Sequence, residues 1–318
     1  MEEKVTILMS VYRPNRQYLK EQLESLNRQT YGNLELLIWN DCPEEEPDRE
    51  LIASCVTRFP FSVLSGDRNL GYIAAFSHLS EMAEGDYVSY CDQDDVWEPD
   101  KIAKCMKAVR ETGAVAAVCD KSLMTAEGRV YVRSCRENSR LCSDRWNTGD
   151  DITARAAFFS YCTGMTLVAE RKTVQRFLPL VPGVMHDMQL MLYLSAAGKV
   201  AYVDEPLVRY RRHGNNESGL LAGVETRKDY YDTRCRPGMA LLRRFQELYP
   251  DWPELPDMLR CGEARVKGSV AGLWKYRRFL PDLYRYEIGL ALCPDFLFRA
   301  LKKRVVSGIS RKGKENAD

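Results

Sequence analysis

The sequence has no pair of cysteines at C-x-x-C spacing, although it contains 11 cysteines in 318 residues. The closest two are Cys135 and Cys142, and others lie in apolar stretches, such as Cys91 in YVSYC and Cys119 in VAAVC. A small buried thiol is the ordinary role of a cysteine in such a stretch. The pattern argues against a zinc ribbon or a disulfide framework and predicts a reducing compartment.

Long apolar runs, internal repeats and low-complexity segments are also absent. No stretch reaches the roughly 18 apolar residues that a membrane span requires. The opening segment MEEKVTILMSVYRP begins with acids, and its apolar run is too short for a signal peptide. We therefore expect a cytoplasmic protein, with the inner face of the membrane as a second location to consider.

The net charge of +1 gives no sign of a nucleic-acid partner, but the charge is unevenly distributed. Residues 256–318 contain 14 Lys and Arg against 7 Asp and Glu, whereas the rest of the chain contains 32 against 38. This basic region also holds aromatic residues, namely Trp274, Tyr276, Phe279, Phe296 and Phe298. Such a mixture fits peripheral contact with an anionic membrane. A helical subdomain with a solvated basic face explains it equally well.

What the sequence does contain is an alternation of strand-like and helix-like segments. Val5–Val11 is a nearly unbroken apolar run, as expected of a strand covered on both faces, and Asn15–Arg28 carries leucines at helical spacing. The pattern predicts further strands at 34–39, 61–64, 87–91 and 115–119, and helices at 48–58, 72–82 and 101–110. This order predicts an α/β fold with a mostly parallel sheet flanked by helices.

The later part of the chain changes character. The pattern predicts a hairpin through residues 126–128, a strand at 161–168, a helix at 186–197, and strands at 200–203 and 207–210. Beyond Gly214 it becomes helical, with prolines, aromatics and arginines mixed through it. We therefore expect an α/β domain over residues 1–216 and a helical, basic C-terminal region over residues 217–318.

Polar residues follow four successive predicted strands. In an open parallel sheet, ligands bind outside the carboxyl ends of the strands. The sequence therefore predicts a crevice at this edge, containing several acids and an arginine. Its residues, in strand order, are Ser10, Tyr12 and Arg13; Asn40 and Asp41; Asp67, Arg68 and Asn69; and Asp92, Gln93, Asp94 and Asp95.

Asp92 and Asp94 form the most informative pair. Because they are two apart on an extended backbone, both carboxylates face the same side. Such a pair suits Mg²⁺ or Mn²⁺, which would also hold phosphate oxygens. A polar turn before Pro99 is an equally weighted alternative. Asp95 points the other way, and we expect it to cap the following helix.

Two later segments carry candidate chemistry, each with a structural alternative. Asp187, beside His186 at the start of a predicted helix, is either an N-cap or a general base for an acceptor hydroxyl. Spacing alone favours the cap. The basic run that includes His213 either grips a diphosphate, with the imidazole reaching a metal, or forms a solvated turn.

Together these segments resemble family 2 glycosyltransferases of the GT-A fold, in particular the rhamnosyltransferase-like branch that builds bacterial cell-surface polysaccharides. The resemblance covers about residues 4–216. It departs from many relatives at Asn40-Asp41-Cys42-Pro43, where they have a turn of small residues. The segments that carry it, in the family's order, are ILMSVYRPN, IWNDC, RNLGYIAAF, YCDQDDVWEPDKI, CTGMTL, MHDMQL and DEPLVRYRRHGNN.

The resemblance implies roles for individual residues. Asp187 corresponds to the catalytic base of inverting members, Asp94 and His213 to metal ligands, and Trp97 and His186 to the acceptor side. The positions that correspond to nucleotide-binding residues are Ser10, Val11, Tyr12, Asp41, Arg68, Asn69, Gly71 and Asp92.

The resemblance thus implies a metal-dependent, inverting transferase. It would move rhamnose or a similar sugar from a dTDP- or UDP-linked donor to a growing cell-surface glycan, with lipid-linked glycans among the candidate acceptors. One alternative, a sugar nucleotidyltransferase, usually needs a glycine-rich phosphate loop near its N-terminus, and the sequence has none. The other, a non-catalytic nucleotide- or glycan-binding scaffold, would need no general base.

Overall fold

The computed structural model of the protein describes residues 2–138, 142, 144–214, 223–281, 283–299 and 302. The chain divides into two compact units, Met1–Asn216 and Glu217–Asp318. Among the described residues, none of the helices combines the length and the hydrophobicity that crossing a bilayer requires.

The N-terminal unit alternates strands and helices. Its first half contains β1 (Val5–Val11), α1 (Arg16–Asn27), β2 (Leu34–Asn40), α2 (Arg49–Cys55), β3 (Phe61–Ser65), α3 (Tyr72–Met82), β4 (Tyr87–Cys91), β5 (Val96–Trp97) and α4 (Lys101–Thr112). Its second half contains β6 (Ala116–Met124), β7 (Val130–Val132), α5 (Thr153–Ala156), β8 (Leu167–Glu170), α6 (Arg171–Gln175), α7 (His186–Ala197) and β9 (Val200–Arg211).

The strands described in this unit form one sheet in the order β3-β2-β1-β4-β8-β6-β9-β5, with β7 paired to β6. β1 pairs in parallel with β2 and β4, and β2 pairs in parallel with β3. The carboxyl ends of these four strands therefore meet at one edge. β8 lies antiparallel between β4 and β6, and β6 pairs in parallel with β9. The expected α/β fold is confirmed.

The core explains why the apolar runs become strands and helix faces. In β1, Val5, Ile7 and Leu8 are completely buried, because helices cover both faces of the sheet. On α1, Leu23 and Leu26 recur at helical spacing and are also completely buried. Burying each such side chain stabilises the fold by about 1.5–3 kcal/mol. The hydrophobic periodicity of β1 and α1 therefore accounts for their position in the fold, whatever the functional residues require.

Two predicted segments were assigned wrongly, whereas the hairpin was confirmed. The strand expected at 161–168 begins only at Leu167, because Gly164–Thr166 forms a 3-10 turn in which Thr166 N–H donates to Thr163 O at 2.7 Å. The two strands expected at 200–203 and 207–210 are one strand, β9. Its register with β6 jumps between Cys119 and Asp120, and this bulge lets a single strand span both segments. The hairpin turn lies between β6 and β7.

The C-terminal unit is helical in its described part. Its elements are α8 (Arg227–Tyr230), a π-helical turn (Tyr231–Cys235), α9 (Arg236–Leu248), α10 (Leu255–Lys267), α11 (Val270–Lys275), a 3-10 turn (Arg277–Phe279) and α12 (Leu283–Leu292). Inside it, the guanidinium of Arg265 pairs with the carboxylate of Glu287 at 2.7 Å, and Tyr230 O–H donates to the same carboxylate at 2.7 Å. Removing one partner of such a buried pair would leave an uncompensated charge.

The aromatic residues of this unit divide into two groups. Tyr276, Phe279 and Phe298 are buried and belong to its interior, so they offer no surface to a membrane. Trp274 and Phe296 are 56% and 75% exposed. The basic residues at 303 and 304, which the sequence adds to this surface, lie outside the described residues.

Candidate active site

The segments after β1, β2 and β4 are tied together at the carboxyl edge of the sheet. Asp41 N–H donates to Val11 O at 2.8 Å. Tyr12 N–H donates to the side-chain oxygen of Gln93 at 2.9 Å, and the Gln93 amide donates back to Tyr12 O at 3.1 Å. Beyond Tyr12 the chain turns at Arg13, whose φ of 40° is uncommon for a residue other than glycine. The segments that were expected to form a crevice are therefore joined to one another by hydrogen bonds.

Asp41 fixes the loop that follows β3. Its side chain is 2% exposed, and its oxygens accept hydrogen bonds from Leu70 N–H at 2.7 Å, Gly71 N–H at 2.9 Å and Trp39 Nε1–H at 3.1 Å. Asn69 donates to Asp41 O at 3.0 Å. Asp41, which the resemblance places among the nucleotide-binding residues, thus directs its carboxylate to this loop rather than to the open surface.

The loop held by Asp41 presents the remaining residues expected on the nucleotide side. Gly71 has a φ of 74°, in the left-handed region that favours glycine. Arg68 and Asn69 are exposed, and Tyr12, across the edge, is 44% exposed. Ser10 is half-buried and Val11 is buried. These residues border an open surface that contains a cation and an aromatic ring.

Two other carboxylates lie within electrostatic reach of Asp92, at the end of β4. The pKa of Asp92 is raised to about 7, chiefly by burial and then by the carboxylates of Asp94 and Asp187, while the ammonium of Lys121 opposes the rise. Like charges have this effect only at short range. The end of β4 and the start of α7, distant in sequence, therefore meet at one place.

The end of β9 holds the Asp94 segment in position. His213 Nε2 lies 2.6 Å from Asp94 Oδ2. Arg211, which is 1% exposed, donates from Nε to Asp94 O at 2.7 Å and from its main-chain N–H to Asp95 Oδ1 at 2.9 Å. The prediction that Asp95 caps the next helix was wrong, because Asp95 is completely buried against β9 and Asp100 occupies the N-cap position of α4.

Asp187 lies in the first turn of α7, and Met185 occupies the N-cap position. The capping alternative for Asp187 is therefore wrong. One carboxylate oxygen, Oδ1, accepts Met188 N–H at 2.7 Å, and the side chain is 7% exposed. The thiol of Cys162 donates to Asp187 O at 3.6 Å. The segment before β8 and the start of α7 are thus joined directly.

The family profile described as "Glycosyl transferase family 2" matches residues 6–164, which is half of the chain. The chain belongs to this family. An uncharacterized glycosyltransferase of Nostoc sp. is 23% identical over 230 residues, covering 71% of this chain and 70% of the relative. One from Haemophilus influenzae is 24% identical over 229 residues, covering 68% of each chain. This family membership decides against the nucleotidyltransferase and scaffold alternatives.

Solved structures share the fold of this glycosyltransferase. S. aureus TarS 1-349 in complex with UDP has a TM-score of 0.58 at 14% identity, covering 96% of this chain and 92% of that one. The mannosyltransferase PcManGT from Pyrobaculum calidifontis, in complex with GDP-Man and Mn²⁺, has a TM-score of 0.54 at 15% identity, covering 97% and 81%. At these identities the likeness establishes the GT-A fold alone.

The donor set of the glycosyltransferase fits a hard divalent cation. Among the described residues no group of three His, Cys, Asp or Glu could enclose a metal ion. Asp94 and His213 nevertheless converge within 2.6 Å, and the crowding of Asp92 and Asp94 leaves negative charge that a cation would neutralise. Mg²⁺ is commonly held by one or two carboxylates together with substrate phosphates and water. A site for such a cation therefore does not need three protein ligands.

Two residues expected on the acceptor side of the glycosyltransferase are buried in the interior of the protein. Trp97 is 1% exposed and belongs to the main core, with the Lys101 ammonium 3.3 Å from its ring centre. His186 is 6% exposed, and its ring centre lies 4.4 Å from that of Phe76 and 5.4 Å from that of Tyr90. Both expectations were wrong, because a side chain packed on all sides cannot contact an acceptor.

Sequence reasoning missed Lys121, and it placed Gln93 in the crevice without predicting what its side chain contacts. Lys121 lies on β6 outside any quoted motif, yet its ammonium bonds Thr163 Oγ1 and acts on Asp92. Gln93 reads as a spacer between two acids, yet it joins β4 to β1 through Tyr12. No local signal distinguishes either residue, since each acquires its role only when distant strands pair.

Proposed function

We propose that this family 2 glycosyltransferase inverts configuration as it transfers rhamnose or a similar sugar. The donor is a nucleoside-diphosphate sugar, dTDP- or UDP-linked, and the acceptor is a hydroxyl of a growing cell-surface glycan. The observation that carries the proposal is that Asp187 lies within electrostatic reach of Asp92, at the edge where the segments after β1, β2 and β3 meet.

The nucleotide occupies the open surface beside the loop held by Asp41. The exposed ring of Tyr12 offers a stacking face to a base, and the exposed guanidinium of Arg68 offers positive charge. Asp92 contacts the ribose side. The complete proposed set is Ser10, Val11, Tyr12, Asp41, Arg68, Asn69, Gly71 and Asp92, with Asp41 acting by holding its loop.

Asp94 and His213 would hold Mg²⁺ or Mn²⁺ beside the diphosphate. When bound, such a cation supplies positive charge that stabilises the departing diphosphate. The short Asp94–His213 contact supports this pairing, since it places a carboxylate oxygen and an imidazole nitrogen side by side. Arg211 keeps Asp94 in place, because its guanidinium donates a hydrogen bond to the main-chain oxygen of Asp94.

Asp187 acts as the general base. Its Oδ1 is engaged by its own helix, which leaves Oδ2 to accept the proton of the acceptor hydroxyl. The hydroxyl oxygen forms a bond to the anomeric carbon as the bond to the phosphate oxygen breaks, and the nucleoside diphosphate departs. Attack from the face opposite the leaving group inverts the configuration.

The substitution Asp187→Asn tests the proposal. The amide keeps the shape of the side chain but cannot take a proton, so we expect transfer to fall by about 10²–10⁴-fold, the usual contribution of a general base. Nucleotide binding, read as a melting shift with UDP, dTDP or GDP and Mn²⁺, should persist. Asp251→Asn, at an exposed turn, is the control. Undiminished turnover in Asp187→Asn would show that another group is the base.

The location of the enzyme is a second part of the proposal. All eleven cysteines lie in the described part of the chain and are free, which supports a reducing, cytoplasmic compartment. The exposed Trp274, with the Arg277 guanidinium 4.7 Å from its ring centre, and the exposed Phe296 support contact with an anionic membrane. A lipid-linked acceptor would be met at such a surface.

Sedimentation with phosphatidylglycerol vesicles tests the membrane contact. We expect the full chain to bind, and the double substitution Trp274→Ser and Phe296→Ser to reduce binding severalfold. Tyr131→Ser removes an aromatic ring of similar exposure (51%) from the N-terminal unit and should leave binding unchanged. No sedimentation of the full chain would end this part of the proposal.

A further inference from the structure

A pocket of about 140 Å³ opens in the N-terminal unit beside the proposed catalytic base. It lies between β6, the start of β9 and the segment that precedes β8. Two of its lining residues also belong to the surroundings of the acids. Cys162 bonds the main chain of Asp187, and the Lys121 ammonium acts on Asp92. The pocket is therefore the immediate neighbour of the reacting groups.

The lining of this pocket combines aromatic faces with polar groups. Phe159, Tyr161, Trp146 and Tyr202 contribute rings, and of these Phe159 and Tyr202 are partly exposed. Small-molecule sites are typically built from apolar and aromatic surface with a few placed polar groups. A pyranose presents C–H groups on its faces and hydroxyls around its rim, so it matches such a lining on both counts.

The charges of the lining favour a neutral ligand. Among the described residues that line it, the ionisable side chains other than cysteine and tyrosine are two acids, Asp120 and Asp144, and two bases, Lys121 and Arg136. This balance gives no attraction for a diphosphate. The volume of about 140 Å³ is below the roughly 300–1,000 Å³ of sites for drug-sized ligands, so it favours a single sugar ring over a whole nucleotide. None of the residues proposed above to hold the nucleotide is among those lining it.

The polar groups of the pocket are fixed in advance. The Arg136 guanidinium donates to Trp146 O and to Asn147 Oδ1, each at 2.7 Å, and lies 4.1 Å from the ring centre of Tyr202. Asp144 accepts two bonds from Arg155 at 2.8 Å and one from Tyr161 O–H. Rigid groups of this kind bind a ligand without further ordering cost, which is the property of a prepared site.

We propose that this pocket is the acceptor subsite, holding the terminal sugar of the acceptor as a neutral pyranose with one hydroxyl directed toward Asp187. The proposal rests on the transferase function proposed above, because it assigns the acceptor of that reaction. It makes Phe159 and Tyr202 the residues that select the acceptor ring, since they are the partly exposed rings of the described lining whereas Trp146 and Tyr161 are buried.

The test measures binding of simple acceptor analogues without any donor. Methyl α- and β-pyranosides of glucose, galactose, mannose, rhamnose and N-acetylglucosamine are titrated by saturation-transfer difference NMR. We expect at least one glycoside to bind the wild-type protein. Phe159→Ala, which removes the ring, and Phe159→Trp, which fills the opening, should each weaken it tenfold or more. Two opposite changes of volume guard against a misfolded variant.

Phe59→Ala is the matched control, because it removes a half-buried phenyl ring that packs against the core elsewhere in the same unit. It should bind the glycoside like the wild type. The proposal is overturned if no glycoside binds the wild type, or if both Phe159 variants bind as tightly as it does. It is also overturned if these variants lose the UDP-dependent melting shift in parallel, since the pocket would then serve the donor.

These outcomes are separable from failure of the proposed function. Glycoside binding requires neither donor nor turnover, so it can succeed even if Asp187→Asn retains activity. Conversely, loss of turnover in Asp187→Asn with no glycoside binding would leave the base in place and remove the pocket from the acceptor path.

Discussion

The burial of Lys101 predicts an unusual dependence of stability on pH. Lys101 is completely buried at the first position of α4. Its ammonium donates to Ser89 Oγ at 2.8 Å and lies 3.3 Å from the ring centre of Trp97, and no carboxylate is among the groups that shift its pKa. Burial lowers the pKa of Lys101 from 10.5 to about 8, because the ammonium loses its hydration.

The sign and size of the effect follow from proton linkage. Below pH 8 both the folded and the unfolded chain hold this proton, and the full cost of burying the charge is present. Between about pH 8 and pH 10.5 the folded protein releases the proton while the unfolded chain keeps it, so the free energy of unfolding rises with pH. Each tenfold difference in proton affinity is worth about 1.4 kcal/mol, which gives a total gain of about 3 kcal/mol.

The measurement is urea unfolding of the wild type and Lys101→Met from pH 7 to about pH 10.5. The stability of the wild type should rise by about 3 kcal/mol relative to the variant over the upper part of this range. Lys107→Met, an exposed lysine on the same helix, should track the wild type at every pH. A constant difference between the wild type and Lys101→Met would refute the reasoning.

Neighbouring thiols require one further comparison. Cys91, Cys105 and Cys119 all act on the ammonium of Lys101, and Cys105 is hydrogen bonded to Cys119. Burial holds the pKa of Cys91 and Cys119 well above its usual range, but the bond to Cys119 lowers that of Cys105. Repeating both curves in a Cys105→Ala background therefore separates the lysine from the thiol.

Two further predictions concern the site. Gly164→Ala should destabilise the fold by about 1–3 kcal/mol in urea unfolding, because a Cβ there would lie 2.3 Å from His186 Nε2. It should also reduce turnover. A variant as stable as the wild type would show that the histidine can move. Asp94→Asn should abolish the Mn²⁺-dependent part of the melting shift with a nucleotide, where saturation at a hundred times the dissociation constant adds about 2.7 kcal/mol; an unchanged Mn²⁺ response would remove Asp94 from the ligand set.

The fold was predictable because hydrophobic periodicity determines it directly. Val5–Val11, Tyr72–Met82 and Tyr87–Cys91 have the bounds that their apolar patterns predict, since a strand or helix in this sheet buries whatever its period presents. The strand at 161–168 failed for a related reason. Tyr161, Cys162 and Met165, which precede Leu167, are buried although they are not in a strand. Apolar character alone does not distinguish a buried turn from a strand.

The site was predictable only in part. The edge where Asp92 and Asp94 lie follows from the rule for parallel strands, and the sequence alone indicates it. Asp41, Lys121 and Trp97 have partners that are 28, 42 and 72 residues away in the sequence, namely Asn69, Thr163 and Ser25. Such contacts leave no periodic signal, so a motif can name a residue correctly and still misjudge what it touches.

The pair His186 and Asp187 shows how burial and chemistry are joined in this fold. Tyr90, at the end of β4, packs against the ring of His186, and Asp92 follows Tyr90 by two residues. Gly164 leaves room for the ring of His186. It lies just before β8, and the antiparallel pairing of β8 with β4 and β6 brings it next to that ring. Packing His186 against β4 therefore carries the adjacent Asp187 to the carboxylate of Asp92. The histidine serves the site by being inside the protein, because its packing against Tyr90 holds the start of α7 close to the end of β4.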